Sequence, residues 1–211
     1  NYRFHDHEKL AHYANAAADI EFKFPFGFKE LEGIHSRTDF DLGAHEKYSG
    51  RKLQYFDPER NETYVPYVVE TSIGLDRMFL ALFSHCLKNE VLEDGSERVV
   101  LALPPALAPV KAAILPLVKK DGLPELAEKI FNDLKYDFNI ISEEKDSIGK
   151  RYRRQDAIGT PFCITVDHDS LADGTVTLRE RDTMKQERVK IEDLRKIIDD
   201  KVNFRTLLSK I

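Results

Sequence analysis

The residues best suited to hold a small charged ligand lie in Tyr64–Phe83, YVPYVVETSIGLDRMFLALF, where the apolar pattern changes from strand-like to helical. In the strand-like half, which includes Val65, Val68 and Val69, side chains two apart point the same way. Glu70 and Ser72 therefore share a face, and a carboxylate converges with a hydroxyl. Gly74 allows a close turn into a helix whose Leu75, Met78, Phe79 and Leu82 recur at helical spacing. Arg77 falls in the first turn of that helix, where backbone N–H groups are also free. Spacing alone leaves a second reading open, in which Glu70 ends a strand and Arg77 is its surface ion partner.

Other chemistry-bearing clusters are weaker. Seven histidines include His5, His7 and His12, but no HExxH-like pattern supplies a matching carboxylate, so these are expected to be solvated and no metal site is expected. Cys86 and Cys163 are far apart and lack CxxC spacing, which argues against a disulfide framework or cysteine zinc site and for small buried hydrophobes. A basic run, Lys150, Arg151, Arg153 and Arg154, encloses Tyr152. Further on, alternation in VTLRERD puts Thr177, Arg179 and Arg181 on one face.

These groups need two kinds of scaffold. In the first part, Ala11–Ala18 reads as a helix and IEFKFPFGF as a strand interrupted at Pro25 and Gly27. RKLQYFDPERNETYVPYVVE reads as a hairpin with DPERNE as its loop, which gives antiparallel strands with flanking helices. The polar segment Lys88–Arg98, with its Asp-Gly turn signal, marks a boundary, so the domains are expected at 1–93 and 94–211. Beyond it the pattern is strand VVLALP, helix 106–119, helix 124–136, strand FNIIS, helix 147–156, strands PFCITVD and VTLRERD, and a last helix over 191–208. Strands separated by helices predict an α/β domain with a mainly parallel, covered sheet.

Composition bounds the answer. The chain has 211 residues, 42% of them hydrophobic, enough for one or two ordinary cores. No apolar run reaches the roughly 18 residues of a bilayer span, and the first residues show no signal-peptide pattern, so a cytoplasmic location without membrane contact is expected. The net charge of −5 is uneven. Residues 1–97 carry 11 Lys and Arg against 18 Asp and Glu, whereas residues 98–211 carry 21 against 19. Any contact with RNA must therefore depend on local clusters in the second half.

ETSIGLDRMFLALF resembles the third signature motif of class II aminoacyl-tRNA synthetases, and more narrowly that of the glycyl-tRNA synthetases. The segment His7–Leu42, with its ELEGI and RTDFDL words, is similar to the stretch preceding that motif in the same family. From Val99 to the C-terminus the chain is similar to the anticodon-binding domain shared by the glycyl, histidyl, prolyl and threonyl enzymes. The resemblance implies an α/β chain in which part of a class II antiparallel-sheet catalytic domain precedes an anticodon-binding domain. It also implies ATP-dependent activation of glycine and transfer of the glycyl group to tRNA(Gly).

By carry-over, Glu70, Thr71, Ser72, Ile73 and Gly74 would contact or wall the amino acid. Glu30, Leu31, Gly74, Leu75, Asp76 and Arg77 would form the ATP subsite, with ATP entering as its magnesium complex. Arg37 and Asp39 are expected to form an internal ion pair shaping the wall. Arg151, Arg153 and Arg154 would meet tRNA phosphates, and Arg179, Arg181 and Asp182 would read base edges. The family's first motif, used in dimerisation of the parent homodimer, and its second, whose arginine holds the α-phosphate, have no counterpart here. The chain alone is therefore expected not to activate glycine, because transition-state charge would lack its clamp. A non-catalytic tRNA-binding or accessory protein derived from such a synthetase is the alternative.

Overall fold

A computed structural model describes residues 1–209. The chain divides into two compact units, 1–84 and 85–211. In the first, β1 (Tyr2–Asp6), β2 (Ala16–Phe24) and β3 (Gly27–Ser36) are followed by helix α1 (Phe40–Ser49). The predicted hairpin follows as β4 (Tyr55–Asp57) and β5 (Glu62–Tyr64), then β6 (Val69–Ile73) and helix α2 (Leu75–Cys86). Strands β1, β2, β3 and β6 form one sheet in that order, with every pair antiparallel.

The helix expected over Ala11–Ala18 does not form; Ala16–Ala18 open the central strand β2. Pairing on both sides satisfies its backbone groups and carries Phe22 and Phe24 into the core, which outweighs the helix preference of alanine. Helix α2 covers the middle of that face by packing Ala81 and Leu80 against Phe22, Phe24 and Leu31. The apolar stripe read from its spacing is not the packed one, because Leu75, Met78 and Phe79 are exposed.

The second unit opens with an antiparallel hairpin, β7 (Leu87–Val91) and β8 (Glu97–Leu101), so the expected boundary between 93 and 94 falls in the turn of that hairpin. Next come β9 (Ala112–Pro116), α3 (Leu123–Leu134), β10 (Ile140–Ser142), α4 (Ile148–Ile158), β11 (Phe162–Val166) and α5 (His168–Asp173). Strands β12 (Thr175–Glu180) and β13 (Gln186–Lys190) and helices α6 (Leu194–Val202) and α7 (Phe204–Leu208) complete it. The sheet order is β10-β9-β11-β12-β13. The first three strands run parallel, while β12 and β13 are antiparallel additions, so the sheet is mixed rather than mainly parallel.

The helix expected over 106–119 is instead a 3-10 turn at Pro105–Leu107 followed by β9. Every residue of β9 is buried between two parallel neighbours, and a short apolar run that is buried on all sides has no period to separate strand from helix. The last helix is broken at Asn203, whose side chain caps α7 by accepting from the Arg205 N–H. Ile114, Ile164, Val176 and Leu178 from the sheet meet Leu123, Ile130, Leu194 and Ile198 from the helices. Burial of each such side chain contributes about 1.5–3 kcal/mol.

Candidate functional site

The strand register decides which groups share the polar face of the first sheet. Asp19 stands opposite Gly33 and Gly33 opposite Ser72; His35 stands opposite Glu70. Glu30 is three residues before Gly33, so regular alternation would put it on the other face. It does not, because the ladder slips: Ile20 pairs with Glu32 and Glu21 with Glu30, leaving Leu31 as an extra residue. This bulge brings Glu30 to the face of Glu70 and Ser72 and drives Leu31 into the core. Glu32, opposite Ile73, belongs to the other face.

Arg77 approaches Glu30 from α2. Its Nη1 donates to the Glu30 carbonyl oxygen at 2.6 Å and lies 3.5 Å from the Glu30 Oε2. The side chains of both residues stay half exposed, so the guanidinium plane can receive a flat, electron-rich ring. Gly74 is not demanded by sterics, since a Cβ there would meet only the Arg77 stem at 3.7 Å or more.

Glu70 has a built partner. Arg37 Nη1 donates to its Oε2 at 2.6 Å, while Arg37 Nε and Nη2 grip Asp41 at 2.5 and 3.1 Å. The expected Arg37–Asp39 pair is therefore replaced by pairs with Asp41, one helical turn on, and with Glu70. The Tyr13 ring lies 4.1 Å from the guanidinium. Hydrogen bonding to Asp41 first, and then to Glu70, raises the Arg37 pKa, and Arg37 holds Asp41 below the usual carboxylate range. A groove of 720 Å³ opens beside Glu70 between α1 and β6.

Thr71 lines the groove beside Glu70, yet by register neither it nor Ile73 shares the face of Glu70 and Ser72. They stand opposite Ile34 and Glu32, on the other side of the sheet. Leu31, being buried, offers no side chain to a ligand. Leu75 and Asp76 are exposed at the start of α2. The expectation of solvated histidines fails at His7, whose Nε2 lies 2.9 Å from Asp19 Oδ2. Among the described residues no group of three or more His, Cys, Asp or Glu is placed to hold a metal ion.

In the second unit, burial reassigns half of the expected RNA contacts. Arg151 is buried and donates to the carbonyls of Pro116 (2.7 Å), Glu143 (3.0 Å) and Leu117 (3.3 Å), tying α4 to the ends of β9 and β10. Arg179 is buried on Asp156, with Nη1 to Oδ1 at 2.8 Å and Nη2 to Oδ2 at 3.0 Å, and its guanidinium covers Tyr152. Arg181 is buried and donates to the Gly159 and Leu103 carbonyls, each at 2.7 Å. These three arginines hold the fold and are not open to phosphate or bases. Tyr152 is equally engaged, its hydroxyl 2.6 Å from Thr165 Oγ1.

The accessible groups are fewer. Lys150 is exposed, Arg153 is half-buried, and Arg154 is paired with Glu143 at 2.6 Å and Asp146 at 2.9 Å. Asp182, in the turn after β12, has its side chain 55% exposed and accepts from Arg181 Nε at 2.7 Å and Nη2 at 2.9 Å. Sequence reading missed the group beneath it. Arg98 of β8 donates to Asp156 (3.1 Å) and to the Arg181 carbonyl (2.9 Å), and Glu90 accepts from its Nε at 2.8 Å. The available signal was the alternation in LKNEV and ERVVL around an Asp-Gly turn.

Residues 111–201 match the family model described as "Anticodon binding domain". The chain is 58% identical over 186 residues to the glycine–tRNA ligase of Chlorobaculum tepidum, covering 88% of this chain and 39% of that protein. It is 54% identical over 198 residues to the glycine–tRNA ligase of Borrelia hermsii, covering 92% and 44%. A crystal structure of the RNA binding domain of threonyl-tRNA synthetase from Cryptosporidium parvum shares the fold, with a TM-score of 0.64 at 20% identity over 89% of this chain and 43% of that one. The chain thus spans well under half the length of the relatives it matches. It is a homologue of part of the glycine–tRNA ligases and carries a member of the anticodon binding domain family at residues 111–201.

Proposed function

We propose that this chain serves glycine–tRNA ligation as the part that binds tRNA(Gly) by its anticodon and supplies one face of the glycine and ATP site. The supporting observation is the 58% identity to a glycine–tRNA ligase across 88% of the chain. In this reading Glu70 and Ser72 take the substrate ammonium, since a carboxylate is the natural partner of a small cation. Arg37 keeps the Glu70 carboxylate oriented. Glu30 and Arg77 fit an adenine-bearing ligand, because the guanidinium is already anchored on Glu30 and its plane is open. ATP, entering as its magnesium complex, supplies the phosphoanhydride that activates the glycine carboxylate. The residues of this chain bind and orient, and the acyl transfer to tRNA needs positioning more than a protein nucleophile.

The test is binding of this chain to tRNA bearing a glycine anticodon, beside the same tRNA with its second and third anticodon bases changed, over a salt series. Binding that weakens on anticodon change supports the reading. Equal and steeply salt-sensitive binding to both tRNAs would refute anticodon reading and leave only nonspecific attraction.

A further inference from the structure

Nothing in the match to residues 111–201 includes Arg98, which lies on the hairpin before it. Yet Arg98 is almost wholly buried, and its donors converge on one place. Nη1 reaches the carbonyl of Arg181 and Nη2 the carbonyl of Asp182, at 2.9 and 3.4 Å. Nη1 also reaches Asp156, which holds Arg179, and Nε and Nη2 hold Glu90 on β7. Arg181 in turn chelates the Asp182 carboxylate and is itself anchored on Gly159 and Leu103.

Two buried guanidinium groups therefore fix one exposed carboxylate, Arg98 through the main chain and Arg181 through the side chain. Each Asp182 oxygen accepts one N–H from Arg181, leaving a lone pair on each directed to solvent. A carboxylate so presented accepts from the exocyclic amino group of cytosine. Glycine codons begin with two guanosines, so the anticodon offers two cytosines.

We propose that Arg98 is a positioning residue for anticodon reading, setting the turn that presents Asp182 to a cytosine amino group. This rests on the tRNA-binding function proposed above. Loss of the fork should free the turn, so that Asp182 no longer prefers an amino group to a carbonyl oxygen at the same base position, while phosphate contacts elsewhere persist.

The experiment measures the affinity of the full chain for glycine tRNA and for the same tRNA with both anticodon cytosines changed to uridine. Wild type is expected to separate them by roughly tenfold or more. Arg98→Lys keeps the charge and removes the fork; it should reduce that ratio at least about fivefold and leave binding of the uridine tRNA unchanged. Val100→Ala, at a buried site on the same strand, supplies a destabilised control that should keep the ratio. If Arg98→Lys does not fold, Glu90→Ala removes the outer anchor of Arg98 and should lower the ratio in the same direction. A ratio unchanged in the Arg98 and Glu90 variants, or lowered equally in Val100→Ala, overturns the positioning role. An unchanged ratio in Asp182→Asn overturns the reading by Asp182 itself, and no separation in wild type overturns anticodon reading altogether.

Discussion

Replacing Asp156 by Ala tests the energetic argument most directly. Its carboxylate is fully buried and accepts three hydrogen bonds, one from Arg98 and two from Arg179, whose side chains are 2% and 5% exposed. Removal leaves two desolvated guanidinium groups, of which Arg98 keeps an acidic partner in Glu90 at the part-exposed end of the network. Charged hydrogen bonds contribute about 1.5–3 kcal/mol each, but their sum overstates the loss because water and side-chain movement recover part of it. Breaking a buried pair from one side costs about 3–5 kcal/mol. For a unit of this size that corresponds to a fall in melting temperature of roughly 10–20 °C. Thermal denaturation by circular dichroism, with hydrogen exchange of the β11 and β12 amides, reads the change where it arises. Replacing Arg98, Asp156 and Arg179 together by apolar residues of similar volume should cost less than Asp156→Ala alone. A loss below about 1 kcal/mol for Asp156→Ala would refute the claim that this carboxylate compensates both cations.

Three further outcomes follow from other sites. Burial pushes the Cys163 thiol up to about 12, so the folded chain should resist thiol-specific reagents at pH 8; its folded value is raised, so the stability it contributes is complete below pH 9 and lost as pH climbs from 9 towards 12, and Cys163→Ala should flatten that part of a denaturant-midpoint profile. Gly159 has φ +87°, and a Cβ there would sit 3.0 Å from the Leu101 carbonyl oxygen, so Gly159→Ala should lower stability by roughly 1–3 kcal/mol in urea titrations. Glu30 and Arg77 form a half-exposed pair, so Glu30→Gln should change stability by less than about 1 kcal/mol in the same assay, and a larger loss would mean that the pair supports the fold rather than a ligand.

Chain order and residue type were enough to identify the strand-to-helix switch at Ile73–Leu75, the DPERNE hairpin, and the α3, α4, β11 and β12 elements, because each carries a period or a turn signal of its own. They were also enough to place Glu70 and Ser72 on one face, since alternation along a single strand is a local property. They could not reveal β9, whose uniform burial erases periodicity, or the strand at Ala16–Ala18, where pairing on both sides overrides propensity. They misjudged the arginines for the same reason: a guanidinium reads as solvent-facing until tertiary contacts show carbonyls and a carboxylate, distant in sequence, closing around it, as happens at Arg151, Arg179 and Arg181. The alignment of Glu30 with Glu70 and Ser72 was likewise decided only in three dimensions. A one-residue slip between β2 and β3 exchanges the faces of a strand, and no residue type in KELEGI announces it.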